Sequence, residues 1–211
     1  MNGTRTMSTR RCASSPSVTA AATCLISILN ILVLMNFCFI SPSDDAFHWS
    51  NHLKRLRLFS CYEISDEGLS EAASKLPFLE ELEISICPIS KHAVETIGRS
   101  CPLLRSFKFN LQRCKGYVCD DEAVAIAQTM PELRHLQLLG NGLTNEGLQA
   151  ILDGCHHLEY LDLRQCFSVR LVGNLERRCV ERMKNLRHPC DPPHDYEFSA
   201  EDLDFWFYPS D

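Results

Sequence analysis

The sequence lacks the short motifs by which common enzyme chemistries are recognised. It has no glycine-rich phosphate loop, no His-Glu-x-x-His pair and no Gly-x-Ser-x-Gly elbow. Nucleotide transfer, zinc hydrolysis and serine-type acyl transfer therefore lose their usual machinery. No Cys-x-x-Cys pair occurs among its twelve cysteines, and Cys155-His156-His157 has no spaced partner pair of zinc-finger type. The formal net charge is −6 and no basic stripe interleaved with aromatics appears, so nucleic acid is not an expected partner. The expectation is a chain that is no enzyme and needs no cofactor or metal.

What the sequence does have is a repeat. Leu-x-x-Leu-x-Leu, or a close variant, starts at Leu53, Leu79, Leu104, Leu133 and Leu158, at intervals of 26, 25, 29 and 25 residues. A period of about 20 to 29 with this signature marks a leucine-rich repeat solenoid. Further columns keep the same step. Fifteen residues before a start stand Ile64, Ile89, Val118 and Leu143; ten before stand Leu69, Val94, Ala123 and Leu148. Seven before come Ala72, Ile97, Ile126 and Ile151, and three before come Leu76, Cys101, Met130 and Cys155. Offsets of three, four and seven place these side chains on one helical face, turned toward a sheet. Ser65, Ser90 and Thr144 stand where a helix N-cap is needed. The predicted fold class is α/β: a right-handed solenoid of about five repeats, cysteine-containing and ribonuclease-inhibitor-like, with parallel strands on the concave face and helices on the convex face.

The cysteines follow the repeat. Cys61, Cys87 and Cys166 lie eight residues after their repeat starts, Asn141 takes that slot in the fourth repeat, and Cys114 is its counterpart in the lengthened third. Small buried thiols suit such a turn, and nine cysteines, an odd number, follow Asp44. Structural thiols in a reducing compartment are the expectation.

The repeats are read as residues 53–173, with a capping helix over 174–188 in which Leu175, Cys179 and Leu186 face the last repeat, since end repeats need a polar-backed cap. Residues 189–211, acidic and aromatic, read as a disordered tail. At the other end, residues 1–19 are Ser/Thr-rich and basic, 20–40 almost wholly apolar, and 41–52 a linker. About 20 apolar residues can cross a bilayer, so a single-pass membrane anchor through 20–40 is one reading; translated non-coding sequence is the other.

The runs Ile64-Ser65-Asp66-Glu67-Gly68-Leu69, Pro77-Phe78-Leu79-Glu80-Glu81-Leu82, Leu143-Thr144-Asn145-Glu146-Gly147-Leu148 and Leu161-Asp162-Leu163-Arg164-Gln165-Cys166 resemble the plant F-box/leucine-rich-repeat proteins of the Skp-interacting-partner type. The resemblance covers roughly residues 53–196. It implies a substrate-recognition subunit of an SCF-type ubiquitin ligase, placed in the nucleus and cytoplasm, with a protein substrate of unspecified identity and with the Skp adaptor and cullin as partners. Residues 1–52 show no F-box pattern, neither a Leu-Pro start nor a trio of amphipathic helices, so adaptor docking is not expected of this chain. A membrane-anchored repeat protein with a receptor-like or scaffold role is the alternative.

If the repeats bind, the alternate strand positions do so, because successive side chains point to opposite faces. They are Arg55, Arg57 and Phe59; Glu81, Glu83 and Ser85; Ser106, Lys108 and Asn110; His135, Gln137 and Leu139; Tyr160, Asp162 and Arg164. The long third repeat adds a candidate contact loop containing Arg113, Lys115 and Tyr117. Insertions in solenoids map to loops on one face, often the binding one.

Overall fold

The computed structural model describes residues 53–62, 64–111 and 118–192. Among the described residues six short strands alternate with five helices: β1 (Arg55–Phe59), α1 (Asp66–Ser74), β2 (Glu81–Ser85), α2 (Lys91–Ser100), β3 (Ser106–Asn110), α3 (Asp121–Thr129), β4 (His135–Gln137), α4 (Asn145–Gly154), β5 (Tyr160–Asp162), α5 (Gly173–Arg182) and β6 (Asn185–Arg187). The strands form one parallel sheet in chain order. Register is strict: Arg55, Glu81, Ser106, His135, Tyr160 and Asn185 form one row across all six strands. Neighbouring strands sit about 4.8 Å apart, whereas packed helices need about 8–10 Å. A stack built from both must curve with the sheet on its inner side.

The expected columns make the core. Leu58, Ile84, Phe107, Phe109, Leu136, Leu161 and Leu163 are fully buried from the strand side, and Leu69, Val94, Ile97, Ile126, Leu148 and Ile151 from the helix side. Val118 breaks its column. It stands 57% exposed, next to the inserted residues of the third repeat. Those residues, 112–117, lie outside the described ones, and with them the candidate contact loop of Arg113, Lys115 and Tyr117.

Helix starts are tied to one another as well as capped. The Ser65 hydroxyl accepts from Gly68 N at 3.1 Å, Ser90 from His92 N at 3.2 Å and Thr144 from Glu146 N at 3.1 Å. Each such hydroxyl satisfies one of the orphan donors of a helix start. Laterally, the Asp66 carboxylate accepts from Ser90 N at 3.0 Å and from its hydroxyl. The Asp120 carboxylate takes Thr144 N at 2.8 Å and Thr144 Oγ1 at 2.6 Å. One helix start thus holds the next. Asp120 is the N-cap residue of α3 and makes no side-chain cap there, its carboxylate being turned to Thr144.

Beyond β1, β2, β4 and β5 the chain turns a corner through the left-handed region: Ser60 (φ 51°), Ile86 (56°), Gly140 (68°) and Gln165 (63°) all lie seven residues after a repeat start. Only Gly140 is glycine there. A Cβ on it would run into the carbonyl oxygen of Leu111.

The C-terminal end corrects two expectations. The helix read over 174–188 ends at Arg182, and a sixth parallel strand follows. Met183 and Leu186 occupy the first two leucine slots of a sixth repeat and His188 the third, which hides the motif. Leu175, Cys179 and Leu186 do pack on the core. The tail read from 189 is folded as far as Pro192: Gln165 N donates to Pro189 O at 2.9 Å, and Arg164 Nη1 to Pro192 O at 3.3 Å. Residues 193–211, and likewise 1–52 with the apolar run, lie outside the described residues. Among the described residues no helix is long and apolar enough to cross a membrane.

Candidate functional site: the concave face

Three rows of side chains run across the strands, and the structure treats them differently. In the first, Arg55 and His135 are exposed, and Glu81, Ser106 and Tyr160 are partly so. In the second, Arg57 and Lys108 are partly exposed, while Glu83, Gln137 and Asp162 are buried. In the third, only Phe59 keeps partial exposure; Ser85, Asn110, Leu139 and Arg164 are buried. Strand alternation alone predicts all fifteen open to solvent, so seven are corrected.

The reasons are specific. Asn110 and Ser85 stand where the chain turns its corner, and they serve a buried polar chain. Ser85 Oγ donates to Glu83 Oε1 at 3.3 Å, Asn110 Nδ2 to Ser85 Oγ at 3.0 Å, and Leu139 N to Asn110 Oδ1 at 3.2 Å. Asp162 is closed over. Arg164 Nε and Nη2 reach its two carboxylate oxygens at 3.0 and 2.7 Å, and the folded segment up to Pro192 packs on Arg164. A carboxylate at 0% exposure needs that paired cation, since an isolated buried charge is very costly. This pair is structural.

The open part of the face carries a charge pattern. Arg55 Nε lies 3.2 Å from Glu81 Oε1, and Glu83 Oε2 lies between Arg57 Nε at 3.2 Å and Lys108 Nζ at 3.4 Å. Two shallow depressions lie side by side. One, of about 190 Å³, is lined by Arg55, Arg57, Glu81, Glu83, Ser106 and Lys108. The other, of about 260 Å³, is lined by Ser106, Lys108, His135, Gln137 and Tyr160. His135 stacks on Tyr160 with ring centroids 5.8 Å apart. A flat aromatic pair beside a cation and a hydroxyl offers apolar area and polar donors at small cost in side-chain freedom, as interface anchors do. No group of three or more metal-ligating side chains occurs among the described residues.

Alternation along the strands misses a further row. One residue before the first row runs a lip of charge: Lys54, Glu80, Arg105, Arg134, Glu159 and Lys184. Glu80 is bridged by Lys54 at 2.8 Å, and Glu159 by both Lys184 at 2.7 Å and Arg134 at 3.0 Å. Hydrogen bonds from Lys54 and Lys184 hold these two carboxyls below the usual glutamate range. The signal was readable as charge at every repeat start plus one.

The thiols sort by environment. All eight described cysteines are free. Cys166 Sγ donates to Leu138 O at 2.7 Å and Asn141 Nδ2 to Phe109 O at 2.6 Å, each bonding back to the preceding repeat from the same slot. Burial pushes Cys101 and Cys155 up to about 11 and Cys166 to about 12. Cys61 goes the other way, to about 6, chiefly through its interaction with the neighbouring Cys87 thiol.

Comparison with known proteins agrees with this architecture. A leucine-rich-repeat family model matches residues 50–71 and 130–152. F-box/LRR-repeat protein 23 of Arabidopsis thaliana is 57% identical over 147 residues, which are 67% of this chain and 32% of that protein. F-box protein SKIP19 of the same plant is 51% identical over 158 residues, 74% of this chain and 51% of its own length. F-box/LRR-repeat protein 22 is 51% identical over 149 residues, 71% of this chain and 48% of that one. The chain thus spans between about a third and a half of the length of these relatives. Over its repeat region, this chain is similar in sequence to plant F-box/leucine-rich-repeat proteins.

Proposed function

We propose that the concave face is the arm that holds a protein substrate for an SCF-type ubiquitin ligase, in ubiquitin-dependent protein degradation. The observation that carries the reading is 51–57% identity to F-box/LRR-repeat proteins over the repeat region. The residues assigned to contact are Arg55, Arg57, Phe59, Glu81, Ser106, Lys108, His135 and Tyr160, which keep exposure on the inner face. Glu83 holds Arg57 and Lys108 in place, while Asn110, Gln137, Asp162 and Arg164 are buried and are not assigned to contact. The role is non-catalytic and sits in the nucleus and cytoplasm. Bridging to the Skp adaptor and cullin belongs to the F-box named in the relatives and is proposed for the whole protein.

A photo-crosslinking amino acid at His135 tests this against one at Gln149 on the helix side. The His135 probe, in plant cells with the proteasome inhibited, is expected to trap ubiquitin-bearing proteins that Arg57→Glu with Lys108→Glu releases. Equal trapping from Gln149, or trapping indifferent to the charge reversal, sinks the reading.

A further inference from the structure

Cys61 and Cys87 occupy the same slot on paired neighbouring strands. Phe59 pairs with Ser85 in the sheet, and each cysteine lies two residues further on, just past a left-handed corner residue, Ser60 or Ile86. Ser60 N donates to Ser85 O at 3.0 Å, which keeps the two corners in step. Each sulfur rests on its own strand's end: Cys61 Sγ lies 3.4 Å from Phe59 O, and Cys87 Sγ lies 3.4 Å from Ser85 O. The backbone spacing of adjacent strands, about 4.8 Å, falls within the Cα separation of about 4.4–6.8 Å that disulfides span. Among the described slots no other two adjacent ones both hold cysteine; the neighbour of Cys166 is Asn141.

The two thiols differ in the way that reactive pairs do. Cys61 is partly exposed and Cys87 is 4% exposed. The neighbouring Cys87 thiol favours the Cys61 thiolate, and the same pairing together with burial keeps Cys87 protonated. The thiolate is the nucleophile, so Cys61 attacks first.

We propose that Cys61 and Cys87 form an oxidisable pair, in which a hydroperoxide oxidises Cys61 and Cys87 then closes a disulfide between the first two corners of the sheet. In the first step the Cys61 thiolate attacks the peroxide oxygen. An S–O bond forms, the O–O bond breaks, an alcohol or water leaves, and sulfur is oxidised by two electrons while the peroxide is reduced. In the second step Cys87 attacks the Cys61 sulfenic sulfur. The S–S bond forms, the S–O bond breaks, and the Cys87 proton leaves with the departing hydroxide as water. The first step also removes the Cys61 thiolate, one of the influences that hold the proton on Cys87.

The test uses the full chain at neutral pH, exposed to hydrogen peroxide and mapped by peptide mass spectrometry. The expected product is a Cys61–Cys87 bridge that dithiothreitol reverses. In Cys87→Ser, dimedone is expected to trap sulfenic acid at Cys61 roughly tenfold faster than at Cys101, Cys155 or Cys166. Cys87→Ala serves if the serine variant does not fold. Bridges between other cysteines, or a wild-type chain in which these two oxidise no faster than the buried thiols, overturn the proposal.

Discussion

Gly68 and Gly147 occupy one repeat position, the third residue of α1 and of α4, in the near-identical runs Asp66-Glu67-Gly68-Leu69 and Asn145-Glu146-Gly147-Leu148. Replacing either by alanine removes the same backbone freedom, which by itself stabilises a helix by about 0.5–1 kcal/mol. Their surroundings differ. Among the described residues, a Cβ on Gly68 meets only Ser65 Oγ, at 3.4 Å, an ordinary contact. A Cβ on Gly147 would lie 2.7 Å from Asp120 Cγ and 2.7 Å from Leu143 Cδ1, and closer still to Asp120 Oδ1. The Asp120 side chain could swing away, but it holds Thr144 N and Oγ1 and so ties α3 to α4. Hydrogen bonds to a charged group are worth about 1.5–3 kcal/mol each, more than the alanine gains. Gly68→Ala should therefore be neutral or raise stability by up to about 1 kcal/mol, and Gly147→Ala should lower it by roughly 1–3 kcal/mol. Urea denaturation of the full chain, followed by far-ultraviolet circular dichroism, should separate the two midpoints by about 1 M at similar slope. If both substitutions move the midpoint in the same direction, the tie between helix starts does not carry the energy assigned to it.

Three further outcomes are expected. Gly140→Ala should cost roughly 2–4 kcal/mol in the same assay, from a left-handed backbone and a clash with Leu111 O that no side chain can relieve; a loss below about 1 kcal/mol would mean the corner can re-form. Asp162→Ala should cost about 3–5 kcal/mol by stranding the Arg164 guanidinium, and replacing both residues with apolar ones should cost less; equal losses would show that burial, not pairing, dominates. By proton titration monitored by NMR, Glu159 should stay ionised below the usual glutamate range. Its bridges to Lys184 and Arg134 are therefore present at neutral pH and lost only as acid protonates it, and a normal titration would place those bridges in solvent.

Most of the fold was legible because a solenoid writes its contacts at fixed offsets. Leu69, Val94 and Leu148 could be read as inward-facing without knowing what they touch, since each recurs at the same offset and all join one core. Where the offsets changed, legibility failed. The sixth strand went unread because Met183 and His188 replace leucines, and Val118 was misplaced because an insertion precedes it. The candidate site was less legible than the core. Alternation places Asn110 and Asp162 on the inner face but says nothing of what closes over them. Glu83 looks open until Arg57 and Lys108 are seen on either side. The link between Asp120 and Thr144 spans 24 residues and has no periodic signature of its own.

The strict register of the sheet also acts as a ruler. Its rungs repeat at about 4.8 Å. An α-helix laid along the row from Arg55 to Asn185 repeats every 5.4 Å or so, and over five intervals it falls out of step by about 3 Å, less than one rung. An extended peptide on the same path presents like-facing side chains every 6.6–6.8 Å, roughly. Over five of its own steps it drifts by nearly two rungs, so only some of its side chains fall on a rung and the rest fall between. In this geometry, a partner that enters as a helix can contact adjacent repeats in sequence, whereas a straight strand can match only some of them.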